Sequence, residues 1–146
     1  MELQEISDRI EIEGVVIRYT RGIDTGAWDL LDTVFTPDAE IDYTESGGIA
    51  ERYPAVKPWL AEVLPLFFPK RMHSLHQLDI TFLDQDGDAD EATCSAYFHN
   101  PMPMDDGKGG EKVVEFGGIY HHTMTRTPDG WRSRKLHEEI VWKRGL

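Results

Sequence analysis

The 146-residue sequence predicts an α+β fold, with helices in its first half and long strands in its second. Three observations carry this. Apolar residues recur at helical spacing over about 3–23 and again over about 53–68. From Met72 onward the chain reads as four long β-rich segments separated by turn residues. The composition, 40% hydrophobic and 29% charged, is that of one globular domain, residues 1–146, large enough to bury a core.

In the first helix, Leu3, Ile6 and Ile10 form one apolar stripe, and Ile12, Val15, Val16, Tyr19 and Ile23 form another. Two stripes predict a helix packed on more than one side. Gly22 loosens its last turn, and Thr25 reads as the N-cap of a short second helix carrying Trp28, Leu30, Leu31 and Val34. Phe35-Thr36-Pro37-Asp38 closes that helix, because Pro37 restrains the residue before it. Residues 39–43 alternate as a short strand with Ala39, Ile41 and Tyr43 on one face. After a Ser46-Gly47-Gly48 loop, Val56, Trp59, Leu60, Val63, Leu64 and Phe67 mark a third helix. Pro54 and Pro58 suit its first turns, and Pro65 and Pro69 its end. Strands are predicted over 72–83, 91–100, 111–125 and 131–142. Their connections are an acidic hairpin turn over 84–88, a Pro/Gly-rich loop over 101–110 and the tight turn Thr127-Pro128-Asp129-Gly130. Gly117-Gly118 marks a bulge or bend within a strand. Helices covering one side of a curved antiparallel sheet leave a space between them where a pocket forms.

The formal net charge of −12 argues against a nucleic-acid partner, whose phosphates require clustered Lys and Arg. The basic residues between Arg126 and Arg144 are interrupted by Asp129, Glu138 and Glu139. A single cysteine, Cys94, excludes an internal disulfide and a Cys-based zinc site, and reads as a buried, inert thiol in a strand. The acidic N-terminus has no apolar run, so no signal peptide is expected. No stretch is long enough to span a membrane, and the expected compartment is the cytoplasm.

His73 and His76 open the first long strand and, three apart, face opposite ways. Alternation groups His76 with Leu78, Ile80 and Phe82 and so favours it as the more buried of the two. His121 and His122 are adjacent and also oppose each other, His99 ends a strand, and His137 is expected at the surface. No HxH or HExxH spacing occurs, and the acidic run over 84–88 lacks the ligand ladder of a calcium loop, so no metal site is expected. Asp24 directly follows the apolar stripe and precedes a helix start; it is either a presented carboxylate or a turn aspartate. Tyr19 and Tyr43 each join an apolar ring to a hydroxyl that needs a partner, as catalytic donors or as core tyrosines. There is no GxSxG, Walker or GxGxxG motif.

A family resemblance adds to this reading. Its signal is Arg18-Tyr19 and Ile23-Asp24, then Trp28-Asp29-Leu30-Leu31, then Phe35-Thr36-Pro37-Asp38-Ala39-Glu40-Ile41-Asp42-Tyr43. Met72-His73-Ser74-Leu75, Gly118-Ile119-Tyr120, Asp129-Gly130-Trp131 and Trp142 follow. In that order, across nearly the whole chain, these segments resemble the SnoaL-like branch of the nuclear-transport-factor-2 (NTF2-like) superfamily. The resemblance implies a cone-shaped, strongly curved mixed sheet, an α+β barrel whose three N-terminal-half helices enclose a pocket. Within the branch the likeness is to scytalone dehydratase and hexachlorocyclohexane dehydrochlorinase, which use an Asp–His dyad for elimination.

The resemblance implies that Asp24 and His73 are that dyad, which overrides the alternation argument for His76. It implies that Tyr43 is the tyrosine that helps hold a water on the substrate carbonyl. Ile23 takes the place of a second family tyrosine, and Tyr19, one turn earlier, is expected to substitute for it. The dehydratase's second active-site histidine falls near Met102, with His99 close by, and its Ser and Asn fall near Gly118 and Tyr120. The implied activity is a cofactor-independent lyase in which His73 removes a proton beside a carbonyl. Tyr43, with Tyr19 or Tyr120, then donates to the enolate oxygen. Trp28, Trp59, Phe67 and Phe116 are expected to line the pocket for a small hydrophobic cyclic substrate, with His99, Met102 and Tyr120 as further contacts. The alternatives are an isomerase, a polyketide-cyclase-type reaction in the same pocket, or a non-catalytic binding or structural protein. A homo-oligomer, dimer or trimer, is expected.

Overall fold

Six strands form one curled mixed sheet: β1 (Phe35–Asp42), β2 (Ala50–Arg52), β3 (Ser74–Phe82), β4 (Glu91–Asp105), β5 (Glu111–Thr127) and β6 (Gly130–Arg144). Their spatial order is β2-β1-β6-β5-β4-β3. β1 runs parallel to β6, and the other neighbouring pairs are antiparallel. Two α-helices, α1 (Leu3–Thr25) and α2 (Tyr53–Phe67), and a 3₁₀ segment, Trp28–Thr33, lie in the first half of the chain. The computed structural model describes residues 1–83 and 90–146, so the acidic turn expected over 84–88 lies outside the described residues. Among the described residues no helix is long and apolar enough to cross a membrane.

α1 buries the stripe Ile12, Val15, Val16, Tyr19 and Ile23 against the sheet. The other stripe does not pack: Leu3 is 81% and Ile10 67% exposed, so the expectation of a helix buried on two sides is corrected. Among residues 3–11 of α1 the buried one is Asp8. The Arg126 guanidinium donates to both of its oxygens, at 2.9 and 2.8 Å, and the Trp131 indole N–H donates to Oδ1 at 3.1 Å. These bonds, Arg126's first, outweigh burial and hold the Asp8 carboxyl below its ordinary value. Asp8→Ala is therefore expected to destabilise the fold by about 2 kcal/mol in urea unfolding, the scale of a lost charged hydrogen bond. A change within experimental error would show that the pair contributes nothing net.

Thr25 does not cap a second helix. Its hydroxyl donates back to the Arg21 carbonyl at 2.6 Å, and α1 ends at Gly26, whose φ of 69° gives the left-handed cap. The following segment starts without a side-chain cap and winds as 3₁₀ helix. β1 then begins at Phe35, with Pro37 inside a register irregularity between Phe35 and Glu40 that needs no ladder donor. A short strand, β2, was not foreseen in the segment before α2. Pro58 and Pro65 both lie inside α2.

β4 continues to Asp105 through residues expected to loop. The pairing explains it: β3 accompanies β4 only as far as the Ser74–His99 pair, so beyond it β4 has a free edge. Pro101 and Pro103, two apart, can both turn their missing N–H toward that edge. In β3, Gln77 adopts φ 50°, and the register breaks between His76 and Asp79. The break interrupts the alternation and leaves His76 exposed, correcting the pattern that made it the more buried histidine. The β5–β6 register shifts between Gly117 and Gly118, where the sequence reads as a bulge.

Candidate active site

His73 lies one residue before β3, and Asp24 lies in the last turn of α1. One oxygen of Asp24 accepts the His73 backbone N–H at 2.8 Å, and the other sits 2.6 Å from Nδ1. The carboxylate thus fixes both the backbone and the ring. The ring is buried, its side chain 3% exposed, and its Nε2 is 2.9 Å from the Tyr120 hydroxyl. Burial pushes the Asp24 carboxyl up, but the hydrogen bonds and charge of His73, together with Arg71, hold it below its ordinary value. A carboxylate that stays ionised accepts from Nδ1–H and leaves the lone pair on Nε2.

Arg71 was missed in the sequence. Its guanidinium donates to the Ile23 and Phe68 carbonyls, both at 2.8 Å, and its charge lies over the Trp28 ring. It ties the ends of the two helices together and puts a cation at the C-terminus of α1, beside Asp24. Its one sequence signal was its place two residues before His73.

The dyad borders a cavity of about 290 Å³ between α1, α2 and the concave face of the sheet. His73, Tyr19, Tyr43 and Tyr120 form its polar side. Trp59, Met102 and Phe116 lie on its wall, and Phe67 stands at its rim, half exposed. Asp24 sits behind the imidazole and is not part of the wall. Two expected contacts fall outside. Trp28 packs under Arg71, and His99 projects from the outer face of β4, 3.0 Å from Glu115 and against Trp142. His99 sits between the inward Phe98 and Asn100, so strand alternation decides its side.

The Tyr19 and Tyr43 hydroxyls are 2.5 Å apart. Whichever donates, the other keeps its O–H for the cavity. Burial raises the pKa of Tyr19, Tyr43 and Tyr120 above the ordinary phenol value, so all three hydroxyls keep their protons. Gly48 makes this wall possible: a Cβ there would meet Tyr43 at 2.8 Å and Trp59 at 2.9 Å.

Two further polar groups on the wall escaped the sequence reading, Asn100 and Glu138. Asn100 Oδ1 and Glu138 Oε1 are buried without a hydrogen-bond partner. The available signal was the alternation Leu136-x-Glu138-x-Ile140, which puts Glu138 on the inward face. Among the described residues no three His, Cys, Asp or Glu side chains converge to hold a metal ion.

The arrangement combines an oriented imidazole with phenol donors in an apolar cavity. A model of the SnoaL-like domain matches residues 4–137. The chain belongs to the SnoaL-like family. The uncharacterized protein Rv2910c of Mycobacterium tuberculosis is 41% identical to this SnoaL-like protein over 133 residues, 90% of this chain and 84% of the relative. Three solved structures share the NTF2-like fold. Hexachlorocyclohexane dehydrochlorinase LinA-type3 from Novosphingobium barchaimii LL02 has a TM-score of 0.84 at 17% identity, covering 100% of this chain and 94% of that one. A putative scytalone dehydratase from Novosphingobium aromaticivorans scores 0.81 at 17%, covering 97% and 89%. An NTF2-like superfamily protein from Salmonella enterica serovar Typhimurium scores 0.77 at 18%, covering 97% and 96%. At these identities the three establish the fold, and the chemistry rests on this chain's own residues.

Two buried groups give opposite pH dependences. Burial, helped by His121, pushes the His122 imidazole down from 6.5 to about 3. The unfolded chain therefore takes up a proton below 6.5 that the folded one refuses, and stability is lost as pH falls from there. Burial raises Glu138 from 4.5 to about 7, against smaller opposing effects of Ser46 and Tyr120. Its contribution is fully present below 4.5 and is lost as pH rises through 7. Urea midpoints measured between pH 4.5 and 6.5 are expected to fall with decreasing pH in Glu138→Gln and to rise in His122→Gln. Slopes of one sign in both variants would contradict the assignment.

Proposed function

We propose that this SnoaL-like protein is a cofactor-independent lyase that eliminates water or another leaving group from a small, hydrophobic, cyclic carbonyl compound. The observation that carries the reading is the double grip of Asp24 on His73, which presents Nε2 at the wall of an apolar cavity. In the resting site the Tyr120 hydroxyl covers Nε2. A substrate carbonyl competes for that O–H, turning it away from the imidazole and uncovering the lone pair. Nε2 then removes the proton on the carbon beside the carbonyl. Tyr120 and the spare O–H of the Tyr19–Tyr43 pair stabilise the enolate oxygen. The enolate collapses to a double bond as the group on the next carbon departs. The fold shared with a dehydrochlorinase and a putative dehydratase supports the same reaction class.

The test is a β-hydroxytetralone, whose loss of water gives a naphthol that is followed optically. Wild-type protein is expected to accelerate the reaction and His73→Ala to abolish the acceleration. Equal rates in the two proteins would refute the base assignment. Ketone products of a shifted double bond or a new ring, in place of naphthol, would move the reading to an isomerase or cyclase.

A further inference from the structure

Glu138 is a carboxyl group in a place where carboxyls are rarely left. It lies on β6 directly across from Tyr120 on β5, and this cross-strand pairing puts both side chains on the cavity face. Its Oε1 is fully buried and has no hydrogen-bond partner, and the Oδ1 of Asn100, on the next strand over, is in the same condition. A buried polar atom left without a partner is costly to the fold. Two of them on one cavity wall are the complement of a ligand's polar group.

We propose that Glu138 is the proton donor of this pocket: a neutral carboxylic acid that hydrogen-bonds the substrate's leaving hydroxyl and protonates it as the carbon–oxygen bond breaks. This rests on the base reading of His73 and names the other half of the reaction. His73 Nε2 takes the proton from carbon, and the freed electron pair forms the carbon–carbon double bond. The carbon–oxygen bond breaks with its electrons going to oxygen, and that oxygen takes the Glu138 proton and leaves as water. Imidazolium and carboxylate remain, and one proton passing from His73 to Glu138 restores the site. Tyr120 lies between the two, 2.9 Å from Nε2 and paired across the strands with Glu138.

The surroundings fit a proton held at neutral pH. The groups facing Glu138 are the Tyr120, Tyr43 and Tyr19 phenols and the Ser46 hydroxyl, with Glu45 adding negative charge. The His137 imidazole, its neighbour on β6, favours the carboxylate, but far more weakly than burial disfavours it. Burial accordingly raises its pKa to about 7, the range in which a general acid is most effective at physiological pH. The inference also narrows the substrate: its leaving group is a hydroxyl, which needs a proton, and stands on the β6 side of the cavity.

Two probes separate this inference from the reading it rests on. A β-hydroxytetralone must have its leaving group protonated; a β-chlorotetralone loses chloride without a proton. Glu138→Gln is expected to slow water loss about 100-fold more than it slows chloride loss. Equal effects on the two probes would overturn the role of Glu138 while leaving His73 as base. Wild-type rates persisting for both probes in His73→Ala would overturn the base itself, and Glu138's part with it. Glutamine is isosteric, and its unfolding midpoint is measured alongside. A second readout needs no turnover: in protein carrying carbon-13-labelled glutamate, saturating 2-tetralol, which keeps the hydroxyl but lacks the carbonyl and cannot be eliminated, is expected to shift one carboxyl resonance that titrates near neutrality. That resonance is absent from Glu138→Gln. If the tetralol binds and no such resonance moves, Glu138 does not contact the hydroxyl and the proposal fails, whatever the rates.

Discussion

Asp24→Asn is expected to lower the proposed elimination by about a thousandfold and to leave the fold intact, because the substitution reverses the imidazole rather than releasing it. Asp24 faces two nitrogens of one residue. The backbone N–H of His73 is a donor in every state and will claim the asparagine's single carbonyl oxygen. The asparagine NH₂ is then left facing Nδ1 and donates to it. Nδ1 must become the acceptor, and the ring proton moves to Nε2, the atom that has to be bare for catalysis. The backbone clamp survives, so the melting temperature is expected to stay within a few degrees of the wild type. Asp24→Ala removes both contacts and is expected to lose activity and stability together. The measurement is the rate of naphthol formation beside the thermal unfolding of each variant. An Asn variant with wild-type turnover would mean that Nε2 is not the base, because no arrangement of that amide keeps the backbone bond and the active tautomer together.

The sequence made the pocket legible but not its full polar inventory, and the reason differs from residue to residue. Helical and strand periodicities located α1, α2 and the four long strands because burial on one face leaves a regular trace. The resemblance supplied the pairing of Asp24 with His73; periodicity alone pointed to His76. The positive φ of Gln77 and the register break beside it are tertiary events that a period-two count does not contain. The burial of Asp8 leaves no local trace because its partners, Arg126 and Trp131, stand 118 and 123 residues away. Glu138 was hidden for a related reason: a charged residue in a strand counts as solvent-facing until the strand's inward face is known. Pro101 and Pro103 were read as a loop because a proline's compatibility with a strand depends on which neighbour that strand lacks. In each case the missing information is long-range.

Gly118→Ala is expected to destabilise the protein by about 3 kcal/mol and to lower its melting temperature by about 10 °C. A Cβ at this position would lie 2.0 Å from the Glu139 carbonyl oxygen, with Phe98 at 3.0 Å on the other side. The first contact is backbone, so no rotamer relieves it, and β6 must move away from β5 where the register shifts. That movement reaches the site directly. Glu139 is next to Glu138, and Phe98 stacks on Tyr120 at 4.1 Å, so the bulge sets both the proposed acid and the phenol that covers the proposed base. The loss of turnover should therefore exceed what the unfolded fraction explains at a temperature where the variant remains folded. Asp8→Ala supplies the comparison, since it weakens the fold at the opposite end of α1 from the dyad. If Gly118→Ala retains full turnover per folded molecule, the bulge is a packing device only, and the position of Glu138 does not depend on it.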